Sequence, residues 1–586
     1  MTGVLVKTCL LGALALTLLQ TAEAQCPEVV ITNEWDGNYQ ADFIVEAPAD
    51  SNGISLDLTF SSPVDSIEFW AGSVTKTDDT HFTLVDSKTD VHEGDQIKFS
   101  FQVHFSASKP YVITEVLNGL EICDTIYTTP APPSTPEPLA NPCDATDMKP
   151  YDYSQVLCMS YVFYEAQRSG PLPADQRVTW RGDSALDDGS DVGHDLTGGY
   201  YDAGDFVKFG FPMAYTATVL GWGLIDFAEG HEAAGQLEYG QAALKWATDY
   251  FLKANTGKNE FYGQVGSGQK DHAYWGRPED MDMERPAWKI DEAAPGTELA
   301  AETAAALAAA AMVFKENDPD YSAEVLDVAK ELYDFADKFR LTYDKSIPDA
   351  SAYYHSWSGF GDELCWAALW LARATGEDTY LTRARGHWEE FHLGKDAVLQ
   401  FSWDDKRAGV FELFWLLDGS QEYLDALNKY LDWLKDGATY TPEGLVFLDS
   451  WGANRHAANV AFISLWAAKN GINTEANREW AAGQVDQLLG ANSRLKMSFV
   501  VGYGDKYPER PHHRSSSCPW PPKVCDYTWA YSQDGPNPHV LYGALVGGPS
   551  QNGDYKDDRE DFTHNEVACD YNAAFSGALA AMVELN

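Results

Sequence analysis

Two acidic segments that lie far apart in the chain carry the residue types that acid–base catalysis requires. The first contains Asp202 and Asp205, separated only by Ala and Gly, so that both carboxylates can converge on one point. The second contains a lone glutamate, Glu566, with Phe562 and Tyr571 nearby. Hydrolysis of a glycosidic bond needs one carboxylic acid to protonate the leaving oxygen and one carboxylate to activate water. The two segments therefore predict an enzyme that cleaves sugar polymers.

Each segment on its own also has a plainer explanation. Asp202 and Asp205 could form an acidic turn or a helix cap, and Glu566 could interact with a helix dipole. A catalytic acid must keep its proton near neutral pH, and apolar neighbours favour this by raising the pKa. A third cluster, residues 511–514 (PHHR), could bind sugar hydroxyls and orient the carboxylates, or could form a solvated basic loop.

The composition limits the kinds of molecule that the protein is expected to bind. The chain has 586 residues, a formal net charge of -48 and 45% apolar residues, which is enough for a large core. The acidity argues against a nucleic-acid partner, because no basic surface is available to neutralise phosphates. It suits a secreted protein that acts on a neutral substrate. The 19 Trp and 30 Tyr could stack on sugar rings or fill the core.

The N-terminus has the pattern of a secretory signal. Within residues 1–24, Lys7 precedes an apolar run that ends at Leu19, and the small residues around Ala24 fit a cleavage site. The run is too short to span a bilayer. The Ala-rich stretch 299–314 is interpreted as a packed helix. We therefore expect a secreted, extracellular protein that is cut after Ala24 and has no membrane segment.

Secretion permits disulfide bonds. Cys26 and Cys123 bracket the first region of the mature chain and could tie its ends together, and Cys518 and Cys525 flank a Pro-rich loop that they could close. The pairing of four further cysteines cannot be decided from the sequence: Cys143, Cys158, Cys365 and Cys569.

The hydrophobic pattern divides the mature chain into three parts. Residues 25–127 alternate apolar and polar side chains in short runs, which predicts a β-sandwich. Residues 128–142 are rich in Pro and Thr and predict an extended linker. From residue 143 to 586 the apolar residues recur at helical spacing, with long loops between the stripes. This predicts one large α-helical domain that carries its site on the loops.

Three ordered motifs of the helical part resemble signatures of glycoside hydrolase family 9. They are the Asp-Ala-Gly-Asp motif at 202–205, residues 498–514 (SFVVGYGDKYPERPHHR) and residues 555–573 (YKDDREDFTHNEVACDYNA). The resemblance covers about 143–586. It implies an (α/α)6 barrel and hydrolysis of internal β-1,4-glucosidic bonds with inversion at the anomeric carbon.

The resemblance also implies roles for individual residues. Glu566 would be the general acid and Asp205 the general base, with Asp202 helping to hold the water. His512 would contact the sugar and orient the groups around it, and Asp557 would act structurally or electrostatically. Eight other side chains match the family's substrate-binding cleft: His272, Trp275, Tyr354, Trp357, Trp451, Arg455, Arg514 and Tyr571.

Some family members bind calcium through a Ser-Gly-x-x-Asp-Glu loop and a later Trp-Asp pair. Carboxylate and carbonyl oxygens suit such a hard cation. No cofactor is expected to be required, and the calcium would be structural. The matching residues are Ser358, Gly359, Asp362, Glu363 and Asp404.

The N-terminal region resembles a family 2 carbohydrate-binding module, through residues 33–40 (NEWDGNYQ), Phe69-Trp70 and 117–119 (LNG). The resemblance implies binding of cellulose or chitin on a flat aromatic strip that includes Trp35 and Trp70. The third strip position is occupied by Ser87. Either tight binding of crystalline polysaccharide is lost, or another ring, such as Phe69 or Phe82, could substitute.

Two other functions remain open at this stage. The protein could be a cellulose- or chitin-binding lectin without activity, although Asp202, Asp205 and Glu566 are all present. It could also hydrolyse a related polymer such as mixed-linkage glucan or chitosan. A metallohydrolase is disfavoured because no His/Asp/Cys cluster has ligand spacing. We expect a monomer that acts on cellulose or a related β-1,4-glucan.

Overall fold

The computed structural model describes most of the chain in two compact units that divide between residues 133 and 134. It describes residues 29–585, apart from 36, 48–49, 61, 93–94, 107–109, 111, 119, 122–139 and 522. Three features expected from the sequence fall outside the described residues: the signal segment 1–24, the Cys26–Cys123 pairing and nearly all of the linker 128–142.

The first unit consists of two antiparallel sheets. Its strands are β1 (Val29–Trp35), β2 (Asn38–Glu46), β3 (Ser51–Phe60), β4 (Ser66–Phe69), β5 (Ser73–Lys76), β6 (His81–Val91), β7 (Gln96–His104), β8 (Val112–Leu117) and β9 (Leu120–Glu121). One sheet has the order β1-β2-β7-β4 and the other β5-β6-β3-β8-β9. The period-two pattern buries alternate side chains such as Leu56, Leu58 and Phe101 in a shared core, so the predicted β-sandwich is confirmed.

The second unit is mainly helical. Its helices are α1 (Tyr153–Gln167), α2 (Gly210–Asp226), α3 (Ala228–Ala233), α4 (Leu237–Ala254), α5 (Gly268–His272), α6 (Thr297–Phe314), α7 (Pro319–Lys338), α8 (Tyr343–Ser346), α9 (Gly361–Thr375), α10 (Asp378–Glu390), α11 (Arg407–Leu417), α12 (Gln421–Asp436), α13 (Ala453–Lys469), α14 (Thr474–Leu489), α15 (Arg514–Ser517), α16 (Phe562–Asn565) and α17 (Cys569–Leu585). The helical stripes in the sequence correspond to these helices. Gly376 and Gly490 end α9 and α14 in left-handed conformations, as expected for C-terminal stops.

The long helices form two concentric rings, which is an (α/α)6 barrel. The inner ring closes on itself, because α2 packs on α6, α6 on α9, α9 on α11, α11 on α13, α13 on α17, and α17 on α2. Each inner helix also packs against one outer helix, in the pairs α17–α1, α2–α4, α6–α7, α9–α10, α11–α12 and α13–α14. Aromatic rings fill the centre, where Trp222 meets Trp366 and Trp466 at centroid distances of 5.4 and 6.2 Å.

The chain alternates between outer and inner helices, so the inner helices all run in the same direction. The loops that lead into their N-termini therefore gather at one end of the barrel. This is the physical reason why loops distant in sequence can build one site.

Helix α6 of the inner ring is the one described helix that is long and apolar enough to cross a membrane by composition, with a mean hydropathy of 1.4. However, 89% of it is buried inside the protein. Its many alanines allow close packing against α2, α7 and α9. The interpretation of the Ala-rich stretch as a packed helix is confirmed.

Two features of the helical unit were not predicted. A small antiparallel sheet lies among the loops, formed by β10 (Lys208–Phe209), β11 (Asn255–Gly257), β12 (Glu260–Val265) and β13 (Ala287–Ile290). Its strands are too short to show a clear alternating pattern. The Cys143–Cys158 disulfide forms at the start of the unit. The predicted Cys518–Cys525 bond is confirmed, and Cys365 and Cys569 are buried free thiols.

Candidate active site

A cleft of about 690 Å³ lies at the end of the barrel where the loops gather. Most of its walls come from segments that precede inner helices, and Arg455 and Tyr571 lie in the first turns of α13 and α17. It is lined by Asp202, Ala203, Gly204, Asp205, Phe209, His272, Trp275, Ala352, Tyr353, Tyr354, Trp403, Asp449, Trp451, Arg455, His512, Arg514, Tyr527, Tyr531, Phe562, Glu566, Ala568 and Tyr571. The structure thus brings together the three predicted carboxylates and most of the predicted binding residues.

The loop that carries Asp202 and Asp205 is pressed against the loop of the His-His-Arg cluster. A Cβ atom on Gly204 would lie 2.1 Å from the carbonyl oxygen of His512, so only glycine allows this approach. The carbonyl of Gly204 accepts a hydrogen bond from the N–H of Arg514 at 3.1 Å. The small residue between the two aspartates therefore joins their loop to the His-His-Arg loop.

Glu566 lies in the connection between α16 and α17, with its carboxyl group in the cleft. Trp451 Nε1 donates to Glu566 Oε2 at 2.8 Å, and the hydroxyl of Tyr571 donates to the same oxygen at 3.2 Å. Because both donors act on Oε2, Oε1 is the oxygen left to carry a proton. The arrangement presents one carboxyl oxygen to the cleft as an acid.

The surroundings give the three carboxyl groups different pKa values. Burial raises the pKa of Glu566 to about 7, and the negative charge of Asp205 adds to the effect. Burial and the neighbouring charge of Asp205 also raise the pKa of Asp202 well above its usual value. Burial acts in the same direction on Asp205, but a hydrogen bond from His272, its charge and that of Arg514 outweigh it and lower the pKa. Near pH 6, Asp205 is therefore ionised and Glu566 is mostly protonated, while the raised pKa of Asp202 favours its neutral form.

Direct contacts position the two aspartates. The hydroxyl of Tyr354 donates to Asp202 Oδ2. His272 Nε2 lies 3.4 Å from Asp205 Oδ2, and the N–H of Ala203 donates to Asp205 Oδ1 at 3.2 Å. These bonds hold both side chains in place before any ligand enters.

The His-His-Arg loop contributes a neutral imidazole and a buried cation. His512 Nδ1 lies 2.7 Å from the carbonyl oxygen of Arg559, so it must carry the ring proton and leaves Nε2 as an acceptor. Burial lowers the pKa of His512 to about 4, which keeps the ring neutral. Arg514 is buried and forms an ion pair with Asp271. The ring of His512 can therefore accept a hydrogen bond from a sugar hydroxyl.

Arg455 and Trp275 support the walls of the cleft. Arg455 Nη1 donates to Asp570 Oδ2 at 3.0 Å and lies over the ring of Tyr571, 4.9 Å from its centroid. Trp275 is nearly buried, and its Nε1 donates to Ser517 Oγ at 2.9 Å. Both side chains hold neighbouring groups in position as well as line the cavity.

Two predicted residues do not line the cleft. Asp557 accepts hydrogen bonds from the backbone N–H groups of Glu509 and Arg510, at 2.8 and 3.0 Å, and so fixes the start of the His-His-Arg loop. Trp357 is 80% exposed and contacts the ring of His355. Asp557 therefore positions the backbone of the His-His-Arg loop, and Trp357 presents a largely solvent-exposed ring outside the cavity.

Sequence reasoning missed part of the aromatic wall. Tyr527 and Tyr531 lie on a π-helical turn after the Cys518–Cys525 loop, and their rings pack against Trp275 at 5.6 and 4.7 Å. Phe562 lies beside Trp451 at 5.3 Å. The density of Trp and Tyr after Cys525 was the available signal, but aromatic content alone does not separate a cleft wall from the core.

The predicted calcium residues lie close together, at the start of α9 and in the segment that precedes α11. Ser358 Oγ is 3.3 Å from Asp362 Oδ1, and the N–H of Trp357 donates to Asp404 Oδ1 at 2.7 Å. Glu363 is fully buried, with Oε1 paired to Lys406 Nζ at 2.8 Å and Oε2 without a hydrogen-bond partner. A buried carboxylate oxygen without a partner beside other oxygen donors fits a hard cation.

Of the two predicted strip residues of the β-sandwich, the structure describes the side chain of Trp70. Trp70 is 58% exposed, and the side chain of Trp35 lies outside the described part of the unit. Phe69 and Phe82 are 8% and 2% exposed, since they pack on core rings. The expectation that one of them replaces the ring missing at Ser87 is therefore wrong, because alternation along each strand turns both inward.

Comparison with known proteins extends over the helical unit. A model of glycosyl hydrolase family 9 matches residues 153–579. Endoglucanase A of Bacillus pumilus is 47% identical over 451 residues, which cover 75% of this chain and 67% of that protein. The structure of an endoglucanase from the termite Nasutitermes takasagoensis has 56% identity and a TM-score of 0.73, and the match covers 74% of this chain and 99% of that one.

A structure with bound sugars is also similar. An endoglucanase from Clostridium thermocellum, complexed with cellobiose and cellotriose, is 36% identical with a TM-score of 0.65. The match covers 74% of this chain and 71% of that chain.

Proposed function

The chain belongs to glycosyl hydrolase family 9, and from that premise we propose that it is a secreted endo-β-1,4-glucanase that inverts the anomeric carbon. Cellulose or a related β-1,4-glucan is the substrate. Glu566 is the general acid, and Asp205, helped by Asp202, is the general base. The sandwich module binds insoluble polysaccharide and tethers the catalytic domain to it.

The observation that carries this proposal is the difference in pKa among three buried carboxyl groups in one cleft. A pKa of about 7 keeps Glu566 protonated below neutral pH, while the pKa of Asp205 is lowered and the group is ionised. Inverting hydrolysis requires one carboxylic acid and one carboxylate at the same pH. The raised pKa of Asp202 favours its neutral form, which limits the negative charge beside the base.

The proposed reaction proceeds in one displacement. Glu566 Oε1 gives its proton to the glycosidic oxygen as that bond breaks. Asp205 takes a proton from water, and the water oxygen bonds to the anomeric carbon from the opposite face. The aromatic walls, including Trp275 and Trp451, stack on sugar rings, and His512 accepts a hydroxyl hydrogen bond.

The first test is hydrolysis of carboxymethyl cellulose by the wild-type protein. Internal cutting should lower the viscosity of the solution steeply while few reducing ends have formed. With a soluble cello-oligosaccharide, proton NMR should show the α-anomer of the new reducing end first, because inversion converts the β-linkage. A first-formed β-anomer would contradict inversion, and no reducing ends would contradict glucanase activity.

Removal of residues 25–142 should reduce activity mainly on insoluble cellulose. Tethering raises the local enzyme concentration, so we expect a loss of at least about tenfold on insoluble substrate and little change on a soluble one. Trp70→Ala in the full chain is the matched control, since it removes one exposed ring and no domain. Equal losses on both substrates would count against tethering.

We also propose that Ser358, Gly359, Asp362, Glu363 and Asp404 hold a structural calcium ion. Addition of calcium to chelator-treated protein at about 100 times its dissociation constant should stabilise the fold by about 2.7 kcal/mol and raise Tm by about 2–4 °C. Calorimetry with and without calcium measures this. Asp362→Asn should remove the response, and a Tm that ignores calcium in the wild type would refute the site.

A further inference from the structure

We propose that a buried ionic triad, Asp188, Lys208 and Arg285, positions the loop that carries Asp202 and Asp205. None of the three side chains of the triad lines the cleft. They would act on hydrolysis through the backbone of the loop, so the inference rests on the proposed function of that site.

The triad consists of one carboxylate between two cations. Lys208 Nζ lies 2.7 Å from Asp188 Oδ2, and Arg285 Nε lies 2.7 Å from Asp188 Oδ1. The side chains of Asp188 and Lys208 are 0% exposed and that of Arg285 is 9% exposed. Arg285 Nη2 also donates to Asp188 Oδ2 at 3.1 Å, so Arg285 binds both oxygens of the carboxylate and shares Oδ2 with Lys208.

The two cations bind backbone carbonyls on both sides of the catalytic loop. Lys208 Nζ donates to the carbonyl of Leu196 at 2.5 Å and to that of Gly198 at 3.0 Å, just before the loop. Arg285 Nη1 donates to the carbonyl of Phe206 at 2.8 Å, immediately after Asp205. The triad therefore clamps both ends of the segment that bears the two aspartates.

The loop needs such a clamp because its backbone is intrinsically free. Gly198 and Gly199 have φ values of 94° and 72°, a region that glycine enters at no steric cost. Glycine also loses the most conformational freedom on ordering. The hydrogen bond from Lys208 fixes the carbonyl of Gly198, and the N–H of Ser169 and Nε1 of Trp246 hold the next carbonyl, that of Gly199.

The clamp reaches the catalytic base through one residue. The N–H of Phe206 donates to Asp271 Oδ1 at 3.1 Å, while Arg285 binds the carbonyl of the same residue. Asp271 is also the partner of Arg514, whose charge acts on Asp205. The residue next to the base is thus held at both its donor and its acceptor.

A buried ion triad can also serve only the stability of the fold. Desolvation often offsets the attraction between buried ions, so burial by itself does not show a role in activity. The two explanations predict different kinetics. A purely structural triad would affect the amount of folded protein, whereas a positioning triad would affect the turnover of protein that is folded.

Lys208→Met is the variant that separates them. It removes the bonds to Leu196 and Gly198 but leaves Asp188 and Arg285 as a neutral pair, so no buried charge loses its counterion. Displacement of reacting groups by about 1 Å can lower the rate about a hundredfold. We expect kcat on carboxymethyl cellulose to fall about 10–100-fold, with KM changed less than about threefold.

A second readout is the acidic limb of the pH–rate profile. His272 and Arg514 lower the pKa of Asp205 only while the loop keeps the carboxylate against them. In Lys208→Met the acidic limb should move to higher pH. A change that only reduced the stability of the fold would not move it.

Lys253→Met is the matched control on the same segment. Lys253 Nζ donates to the carbonyl of Thr197 at 3.1 Å, but its side chain is 38% exposed, so water can replace the bond. We expect kcat within about twofold of the wild type. A loss of kcat in Lys208→Met but not in Lys253→Met would therefore be due to the buried triad and not simply to the loss of a lysine near the loop.

The outcomes are distinct. Folded Lys208→Met with wild-type kcat and an unmoved acidic limb would overturn the inference. If Lys208→Met does not fold, Arg285→Lys tests the inference instead. The lysine keeps a cation beside Asp188 but is too short to reach the carbonyl of Phe206. The same loss of kcat is expected, and a wild-type kcat would overturn the inference. If the wild-type protein itself releases no reducing ends, the proposed function has failed instead.

Discussion

Glu566→Gln should lower kcat on carboxymethyl cellulose by about 10²–10⁴-fold, the usual contribution of a general acid. The amide has nearly the shape of the carboxyl group and can still accept hydrogen bonds from Trp451 and Tyr571. It cannot give a proton to the glycosidic oxygen. Substrate binding should therefore persist while turnover fails, and retained turnover would contradict the assignment.

The leaving group provides a control for this variant. Dinitrophenolate departs from a dinitrophenyl β-cellobioside without being protonated. Glu566→Gln should therefore hydrolyse this substrate at a rate close to that of the wild type. A comparable loss on both substrates would indicate that the variant disturbs the cleft rather than the proton donor.

The pH dependence of wild-type activity provides a second test of Glu566 as the general acid. A general acid works only in its protonated form, and the pKa of Glu566 is raised to about 7. Activity on carboxymethyl cellulose should thus be present below pH 7 and fall as the pH rises through that value. Hydrolysis of the dinitrophenyl substrate should lack this alkaline limb.

Asp205→Asn should lower kcat by about 10²–10⁴-fold on both substrates, because activation of water is needed whatever the leaving group. Azide should restore part of the activity, since it attacks without deprotonation, and the product should be the α-glycosyl azide. Full activity of the variant without azide would refute Asp205 as the base.

Asp202→Asn is the matched comparison on the same loop. Burial and the charge of Asp205 raise the pKa of Asp202 and favour its neutral form, whose charge the amide reproduces. We expect a smaller loss of kcat than for Asp205→Asn. If the two losses were reversed in size, the roles of base and helper would have to be exchanged.

The expectations that came from local pattern correspond well to the structure. The alternation around Leu56 and Phe101 predicted the strands of the sandwich, and the helical spacing of apolar residues predicted barrel helices such as α12. A local pattern does not say whether an aromatic ring faces solvent. Phe69 and Phe82 were available as binding rings in the sequence and are core residues in the structure.

In the cleft, too, local pattern identified some residues and not others. The motifs around Asp205, His512 and Glu566 were recognisable, because each needs an unusual local arrangement of residue types. The wall formed by Tyr527 and Tyr531 was not, since its neighbour Trp275 lies about 250 residues earlier in the chain.

The amino-acid sequence by itself determined the sandwich strands, the long helices and the chemical groups available, since periodicity, end signals and motifs depend on neighbours within a few residues. Only the tertiary structure decided which groups meet and in what charge state. Asp202 and Glu566 become neighbours because parallel inner helices bring their preceding loops to one end of the barrel. Their pKa values then follow from burial and from charges contributed by distant segments. The Lys208 clamp arises in the same way, as a contact between elements that no local pattern connects.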